Sequence, residues 1–228
     1  MYIISCHWEI EERSNGWPHP KNAPAIPPLV RRRLTSLGQM AFRELYNIKE
    51  CAPDDDLPWV ISSRHGDYER TQNLLTQLST QESLSPTDFS LSVHNAIAGQ
   101  FAIATGNKQP QTVVSAGPKS FELGLLEAFC LHQELGKPIG YIYYDQALPP
   151  PYAPELAVDK ICIAMLLTGT PPQDNEAAVR LTYTPSPTLT TELKVESELD
   201  FIHFMESQAS TFNISLSFGS FSMERLHG

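Results

Sequence analysis

A chain of 228 residues is long enough to bury one substantial core, and 41 % apolar against 18 % charged residues is a globular composition without an extended disordered block. The formal net charge of −10 argues against a nucleic-acid or anionic-membrane surface, because phosphate binding needs clustered Lys and Arg, and the one dense cluster, Arg31-Arg32-Arg33, is too short to reverse that balance. No apolar run approaches the roughly 20 residues of a spanning helix, and Met1 to Ser5 lacks the basic stretch and apolar core of a leader, so the expectation is one untargeted, cytoplasmic domain over residues 1–228.

Tyr2 to Trp8, rich in Ile and aromatics, reads as a first strand, followed by a Pro/Asn/Gly-rich loop from Asn15 to Pro28. Leu29, Val30, Leu34, Leu37, Met40, Ala41, Leu45 and Ile48 recur at three- and four-residue spacing and predict one helix, opened by Pro28, with the arginines on its opposite face. After an acidic turn from Pro53 to Pro58, Trp59 to Ser63 is a compact apolar run, hence a buried strand. Asp67 is placed to cap a helix from Tyr68 to Leu78, and Ser85-Pro86-Thr87-Asp88 is a start signal for another from Phe89 to Thr105, stopped by Gly106.

Thr112-Val113-Val114 is a β-branched strand, and Ser120 to Gln133 is a helix with Phe121, Leu125, Ala128 and Phe129 on one face, ended by Gly136. Ile139 to Tyr144 and Lys160 to Leu167 are further strands, separated by the Pro149-Pro150-Pro151 loop. A weaker pattern follows: a strand from Val179 to Tyr183, a helix from Glu196 to Glu206 and a last strand from Ile214 to Phe218, with Pro171 to Asn175 as a turn. The alternation of strands and helices predicts an α/β fold whose sheet is mostly parallel and covered by helices on both faces.

Standard chemical motifs are absent: no phosphate-binding glycine loop, no Gly-x-Ser-x-Gly elbow and no histidine pair at metal-ligand spacing. Neither a metal nor a cofactor is expected. Cys6, Cys51, Cys130 and Cys162 are far apart and mostly in apolar segments, which suits reduced core thiols rather than disulfides or zinc. His65 follows a strand, where catalytic groups do sit in α/β proteins, but an isolated strand-end histidine is more often structural. His94-Asn95 lies in an apolar stretch and, if buried, needs partners, with neighbouring backbone groups favoured over a direct catalytic role. Cys130 and His132 point to different helix faces, and Asp54-Asp55-Asp56 is better read as a solvated turn than as a cation site.

Ser92 to Gly106, Ser92-Val93-His94-Asn95-Ala96-Ile97-Ala98-Gly99-Gln100-Phe101-Ala102-Ile103-Ala104-Thr105-Gly106, resembles the β-ketoacyl synthase segment in which an Asn and small residues open a helix before the nucleophile strand. Gln111 to Gly117 is similar to that strand, and Ser120 to Ala128 to the helix behind it. Pro27 to Ala41 and Ser62-Ser63-Arg64-His65-Gly66 resemble the short ketosynthase-like N-terminal domain proteins of aryl-polyene-type pathways, where they are called chain-length factors. The resemblance runs over most of Tyr2 to about Leu167 and implies half of a thiolase-like fold.

Aligned without gaps from Asn95, the family's cysteine falls at Pro118, and Ala116, Gly117 and Lys119 offer no thiol. The family also draws two histidines from a C-terminal half that has no counterpart here. The resemblance therefore implies a non-catalytic subunit that pairs with an active β-ketoacyl synthase and meets the carrier-protein-bound acyl chain only indirectly. It implies an edge strand at Gln111, Thr112, Val113, Val114 and Ser115 as the partner interface. By position relative to the motif it makes Phe89, Val93, Ala96 and Ile97 candidates for the tunnel wall, with core packing as the rival for each. Two other readings stay open: a thioester hydrolase or acyltransferase using His65 or His94 with a nearby serine, and a homodimeric scaffold without acyl contact.

Overall fold

The computed structural model describes residues 1–11, 13–17, 25–54, 56–150, 152, 158–173, 176–187 and 197–226. The chain begins with β1 (Tyr2–Ile10) and β2 (Arg13–Trp17), then α1 (Pro28–Arg31), α2 (Ser36–Cys51), β3 (Trp59–Ser62), α3 (Tyr68–Ser79), α4 (Pro86–Leu91) and α5 (Ala96–Thr105). It continues through β4 (Gln111–Val114), α6 (Ser120–Leu135), β5 (Ile139–Gln146) and β6 (Lys160–Thr168). A last group comprises β7 (Ala178–Pro185), α7 (Ser197–Glu206), β8 (Thr211–Leu216) and β9 (Gly219–Leu226).

All strands join one nine-stranded sheet in the order β4-β3-β5-β6-β1-β7-β9-β8, with β2 also on β1. Parallel pairing is confined to β4, β3 and β5, and every other pairing is antiparallel. The expected α/β sheet with helices on both faces is present, but its parallel part is smaller than the element alternation suggests. The reason is connectivity: helices link β3 to β4 and β4 to β5, which lets all three run parallel, whereas β5 and β6 are consecutive strands paired antiparallel and β8 to β9 is a hairpin.

Two-residue periodicity divides the core. Tyr141 and Tyr143 of β5, with Ile161, Ile163, Met165 and Leu167 of β6, face α6 and α7, while Ile142, Tyr144, Cys162, Ala164 and Leu166 face α2 and α5. Two glycines set the spacing near β3. Gly140 lies opposite Trp59 in register, and a Cβ there would collide with the indole. A Cβ on Gly124 of α6 would come within 2.6 Å of the Ser62 hydroxyl and 2.8 Å of the Tyr141 ring, so α6 can sit this close to β3 and β5 only with glycine at that turn.

Several boundaries differ from those read off the sequence. The helix expected from Leu29 to Ile48 is two, because Thr35 adopts an extended conformation and its hydroxyl accepts from Gly38 N, capping α2. The helix expected from Phe89 to Thr105 breaks at Ser92–Asn95 into α4 and α5. Ser85 caps as expected, accepting from Asp88 N, and Gly106 and Gly136 end their helices at φ of 72° and 62°. Asp67 does not cap α3: its carboxylate instead accepts from the Thr35 hydroxyl and Arg70. The expected loop after Asn15 begins inside β2, and its residues 18–24, with Asp55, Pro151, 174–175 and Glu196, lie outside the described residues. Phe218 falls in a turn rather than a strand, and β9 completes a hairpin with β8. Among the described residues no helix is long and apolar enough to cross a membrane.

Glu44 of α2 is buried against the sheet, its Oε2 accepting from Asn47 Nδ2 at 3.0 Å. Burial pushes its carboxyl up from 4.5 to about 7; Asn47 and Arg43 pull it down, and Glu9 adds to the rise. The folded chain thus holds a proton the unfolded chain has lost between those values, so stability falls as pH rises through this window. Urea unfolding of Glu44→Gln at pH 5 and pH 8 should show a relative gain at pH 8 on the order of 2–3 kcal/mol. Parallel pH profiles for the variant and the parent would refute this.

Candidate partner interface

The strand β4 forms one end of the sheet, hydrogen-bonded to β3 alone in the register Trp59 to Gln111 through Ser62 to Val114. Among the described residues no strand lies beside its outer backbone groups, and all four of its residues are half-buried. The Nε2 of Gln111 is buried without a hydrogen-bond partner among the described residues. Val113 leans on the core beneath α2 and α5, and Val114 on that beneath α6 and α7.

Beyond β4 the chain makes an elbow. Gly117 takes φ of 58°, and a short 3-10 turn over Gly117–Lys119 leads into α6. The Ser120 hydroxyl accepts from Ala116 N at 3.0 Å and donates to Gly117 O at 2.8 Å, locking the turn. Pro118 stands exposed at its crest, and the four cysteines lie elsewhere: Cys6 and Cys162 are buried, with burial pushing their thiols well up. The serines nearby hold backbone in place, Ser63 Oγ accepting from Gly66 N and Ser115 Oγ donating to Arg64 O.

The helical segments between β3 and β4 carry exposed apolar side chains. Phe89 of α4 is 63 % exposed, Val93 in the α4–α5 break 48 %, and Ile103 of α5 84 %; Leu75 and Leu78 of α3 are exposed as well. Ala96 is half-buried. Ile97 parts company with the other three tunnel-wall candidates: it is buried in the core, and a Cβ added to Gly38 of α2 would lie 3.2 Å from its Cδ1. In this chain Ile97 packs α5 onto α2, the rival role weighed for it.

The two histidines come close to one another's loops. The His94 ring lies over Gly66, 3.4 Å from where a Cβ would stand, and the φ of 63° is what favours glycine there. Its Nε2 is buried without a hydrogen-bond partner among the described residues, so the backbone contact expected for it is absent at that nitrogen. His65 sits edge-on to Tyr68 at 6.4 Å. Among the described residues no group of three or more His, Cys, Asp or Glu side chains is arranged to hold a metal ion.

Sequence reasoning passed over Ile103, Leu75 and Leu78. The signal was available: Ala96 to Thr105 is apolar nearly all round, which a surface helix has no use for unless its outer side is covered. Three buried carboxyls beneath the elbow, Glu122, Asp145 and Glu198, were also not singled out.

The sheet order, the strand-elbow-helix unit and the helices on both faces define half of a thiolase-like α/β fold. The chain belongs to the β-ketoacyl synthase N-terminal domain family, whose model matches residues 6–221. Among solved structures it is similar to the complex of the ketosynthase ApeO with its chain length factor ApeC from Xenorhabdus doucetiae, at 24 % identity and TM-score 0.70, over 94 % of this chain and 85 % of that one. It also resembles the ishigamide ketosynthase/chain length factor, at 17 % identity and TM-score 0.51, over 75 % of this chain and 57 % of that one. A β-ketoacyl synthase from Burkholderia phymatum matches at 12 % identity and TM-score 0.51, over 81 % and 56 %. The chain thus covers under two thirds of the last two proteins. No curated protein matches.

The contrast between Ile97 and Ile103 is testable in the isolated chain. Ile97→Ala should cost about 2–4 kcal/mol by opening a cavity between α2 and α5, whereas Ile103→Ser should change stability by no more than about 0.5 kcal/mol. Equal losses in denaturant unfolding would show that Ile103 is packed in solution.

Proposed function

We propose that this chain is a non-catalytic chain-length-factor subunit that pairs through β4 with an active β-ketoacyl synthase and helps shape its acyl tunnel, in polyene, polyketide or fatty-acid-type biosynthesis. The observation that carries this reading is the position of β4 at the end of the sheet, with exposed Phe89, Val93 and Ile103 on the segments that lead to it and Pro118 exposed on the elbow after it, where an ungapped alignment with the family puts its cysteine. A proline has no nucleophile, so thioester formation falls to the partner, which supplies the cysteine and the histidines for decarboxylation. This subunit supplies the paired strand and an apolar wall. Phe89, Val93 and Ala96 line that wall, and a growing chain stops when its next unit no longer fits among them. The acyl group arrives on a carrier protein and reaches the synthase cysteine, not this chain.

Coexpressed with the ketosynthase from the same source, the chain should copurify as a one-to-one complex, and alone it should not decarboxylate malonyl thioesters. Val113→Pro removes a ladder donor and blocks close strand approach, and Ile103→Asp puts a charge into the contact; each should weaken pairing by at least about tenfold. Undiminished pairing in a folded Ile103→Asp variant, or turnover by the isolated chain that is lost in His65→Ala or His94→Ala, would reject this function.

Product length tests the wall. Val93→Phe and Ala96→Phe should shorten the products and Phe89→Ala should lengthen them, while the rate of the first condensation stays within about twofold, because the reacting groups belong to the partner. Ile97→Ala serves as the packing control and should lower all products together. A uniform fall in yield in every variant, with lengths unchanged, would leave pairing but remove the tunnel role.

A further inference from the structure

Beneath the elbow the fold buries three carboxyl groups from three elements: Glu122 on α6 and Asp145 on β5, both 0 % exposed, and Glu198 on α7, 1 % exposed. Glu122 Oε1 accepts from Ser197 Oγ at 2.5 Å and from Lys119 Nζ at 2.8 Å. Tyr143 OH lies 3.3 Å from Asp145 Oδ2 and 3.5 Å from Glu198 Oε1. Asp145 Oδ2 also accepts from Arg64 N at 3.0 Å, and Arg64 O accepts from Ser115 Oγ at 3.1 Å. Two hydrogen-bonded sets therefore meet at the first turn of α7, where Ser197 and Glu198 are neighbours in the chain: one runs through Tyr143 and Asp145 to Arg64 and the end of β4, the other through Glu122 to Lys119 of the elbow. Glu122 Oε2 and Glu198 Oε2 are buried there without hydrogen-bond partners among the described residues.

Two such acceptors side by side are costly when both carry charge, and a proton on one removes both the repulsion and part of the desolvation. We propose that the first turn of α7 is a proton-dependent latch on the elbow, docked while Glu198 is protonated and lifted when Glu198 ionises. Among the described residues the charged and titratable groups around Glu198 are Lys119 and Glu122 from the start of α6, Tyr141, Tyr143 and Asp145 from β5, and Arg64 and His65 after β3. Burial, then Glu122 and Asp145, push the Glu198 carboxyl up to about 7, against the pull of its own backbone N–H and of Arg64. The docked turn is thus fully favoured in mild acid and weakens as pH rises through neutrality.

Only the first turn moves. Phe201, Ile202, Phe204 and Met205 are buried in the core and hold the rest of α7 in place, since their apolar burial outweighs one ionisation. Lifting Ser197 takes one of the two donors from Glu122 Oε1, whose other donor is the elbow's Lys119. The elbow that follows β4 is thereby stiffer below neutral pH than above it.

Hydroxyl-radical footprinting of the full chain at pH 6 and pH 8.5 reads the latch through Tyr143, which the first turn of α7 covers. Oxidation of Tyr143 should rise at least about fivefold across that interval, as ionisation of one group shifts an opening equilibrium by up to about tenfold per pH unit, while Phe204 stays unchanged. Glu198→Gln should hold Tyr143 protected at both pH values. Equal protection of Tyr143 in the parent at both values, or the same rise in Glu198→Gln, overturns the latch. Should that variant not fold, carboxyl 13C titration of the parent decides: the Glu198 midpoint must coincide with that of the Tyr143 change, and a gap of more than about one pH unit overturns the proposal equally.

Discussion

A strand at the end of a sheet presents half of its backbone N–H and C=O groups outward, and these must be met by water or by another strand. In β4 the demand is concentrated, because the strand is four residues long, carries no charge or proline and runs into a locked elbow. Edges that stay in water are usually protected by shortness, lysines, bulges or coverage. Within β4 itself only its shortness is of that kind, and the segments that lead to it carry exposed Phe89, Val93 and Ile103. The outer side of α5 fits the same logic, since a helix apolar nearly all round is stable only where both sides are covered.

The position of that edge depends on two close approaches farther in. The Trp59 indole lies over Gly140, which fixes β3 on β5, and Gly124 lets α6 rest against Ser62 and Tyr141. Tyr141 OH then donates to Phe121 O at 2.6 Å and bonds Ser62 Oγ at 2.9 Å, tying the start of α6 to both strands. The elbow is the segment between these fixed points, so its path is set by packing beneath it. A larger side chain at either glycine pushes α6 or β3 outward and carries the edge with it.

Much of this was legible in residue order because each local signal agreed with the global fold. Thr112-Val113-Val114, the left-handed stops at Gly106 and Gly136, and the alternation in Ile161 to Leu167 all lie where periodicity and turn chemistry put them. The family resemblance added the edge and the elbow, which no local pattern reveals. What escaped was decided by competing local interactions or by distance in sequence. Thr35 and the Ser92–Asn95 break each interrupt an otherwise continuous helical period, and Asp67 left its capping role for Thr35 and Arg70, both closer partners in the folded chain. The strand β9 was legible in the alternation of Ser220 and Ser222 with Phe221 and Met223, the pattern of a strand with one face exposed, and was nonetheless passed over. Ile97 and Ile103 are alike in sequence context, and only the packing of α5 on α2 tells which is inside.

The segment after β6 is where sequence was least informative and packing contributes most. Phe201 lies 5.5 Å from Phe121, and Phe129 lies 6.0 Å from Phe221, so α7 and the β7–β9 ladder extend the apolar core on the sheet-facing side of α6. That face belongs to the helix that carries the elbow. With Phe201, Ile202, Phe204 and Met205 buried in the same core, apolar packing anchors α6 and the elbow it carries. The polar cluster of Glu122, Ser197, Glu198, Tyr143 and Asp145 is set where this apolar packing ends. Asp145 accepts from the backbone N–H groups of Arg64 and Gln146, whereas one oxygen each of Glu122 and Glu198 has no hydrogen-bond partner among the described residues, so the cluster is conditional on protonation. The β4 edge thus stands between two kinds of support: apolar packing that is indifferent to pH, and a buried acid cluster that is not.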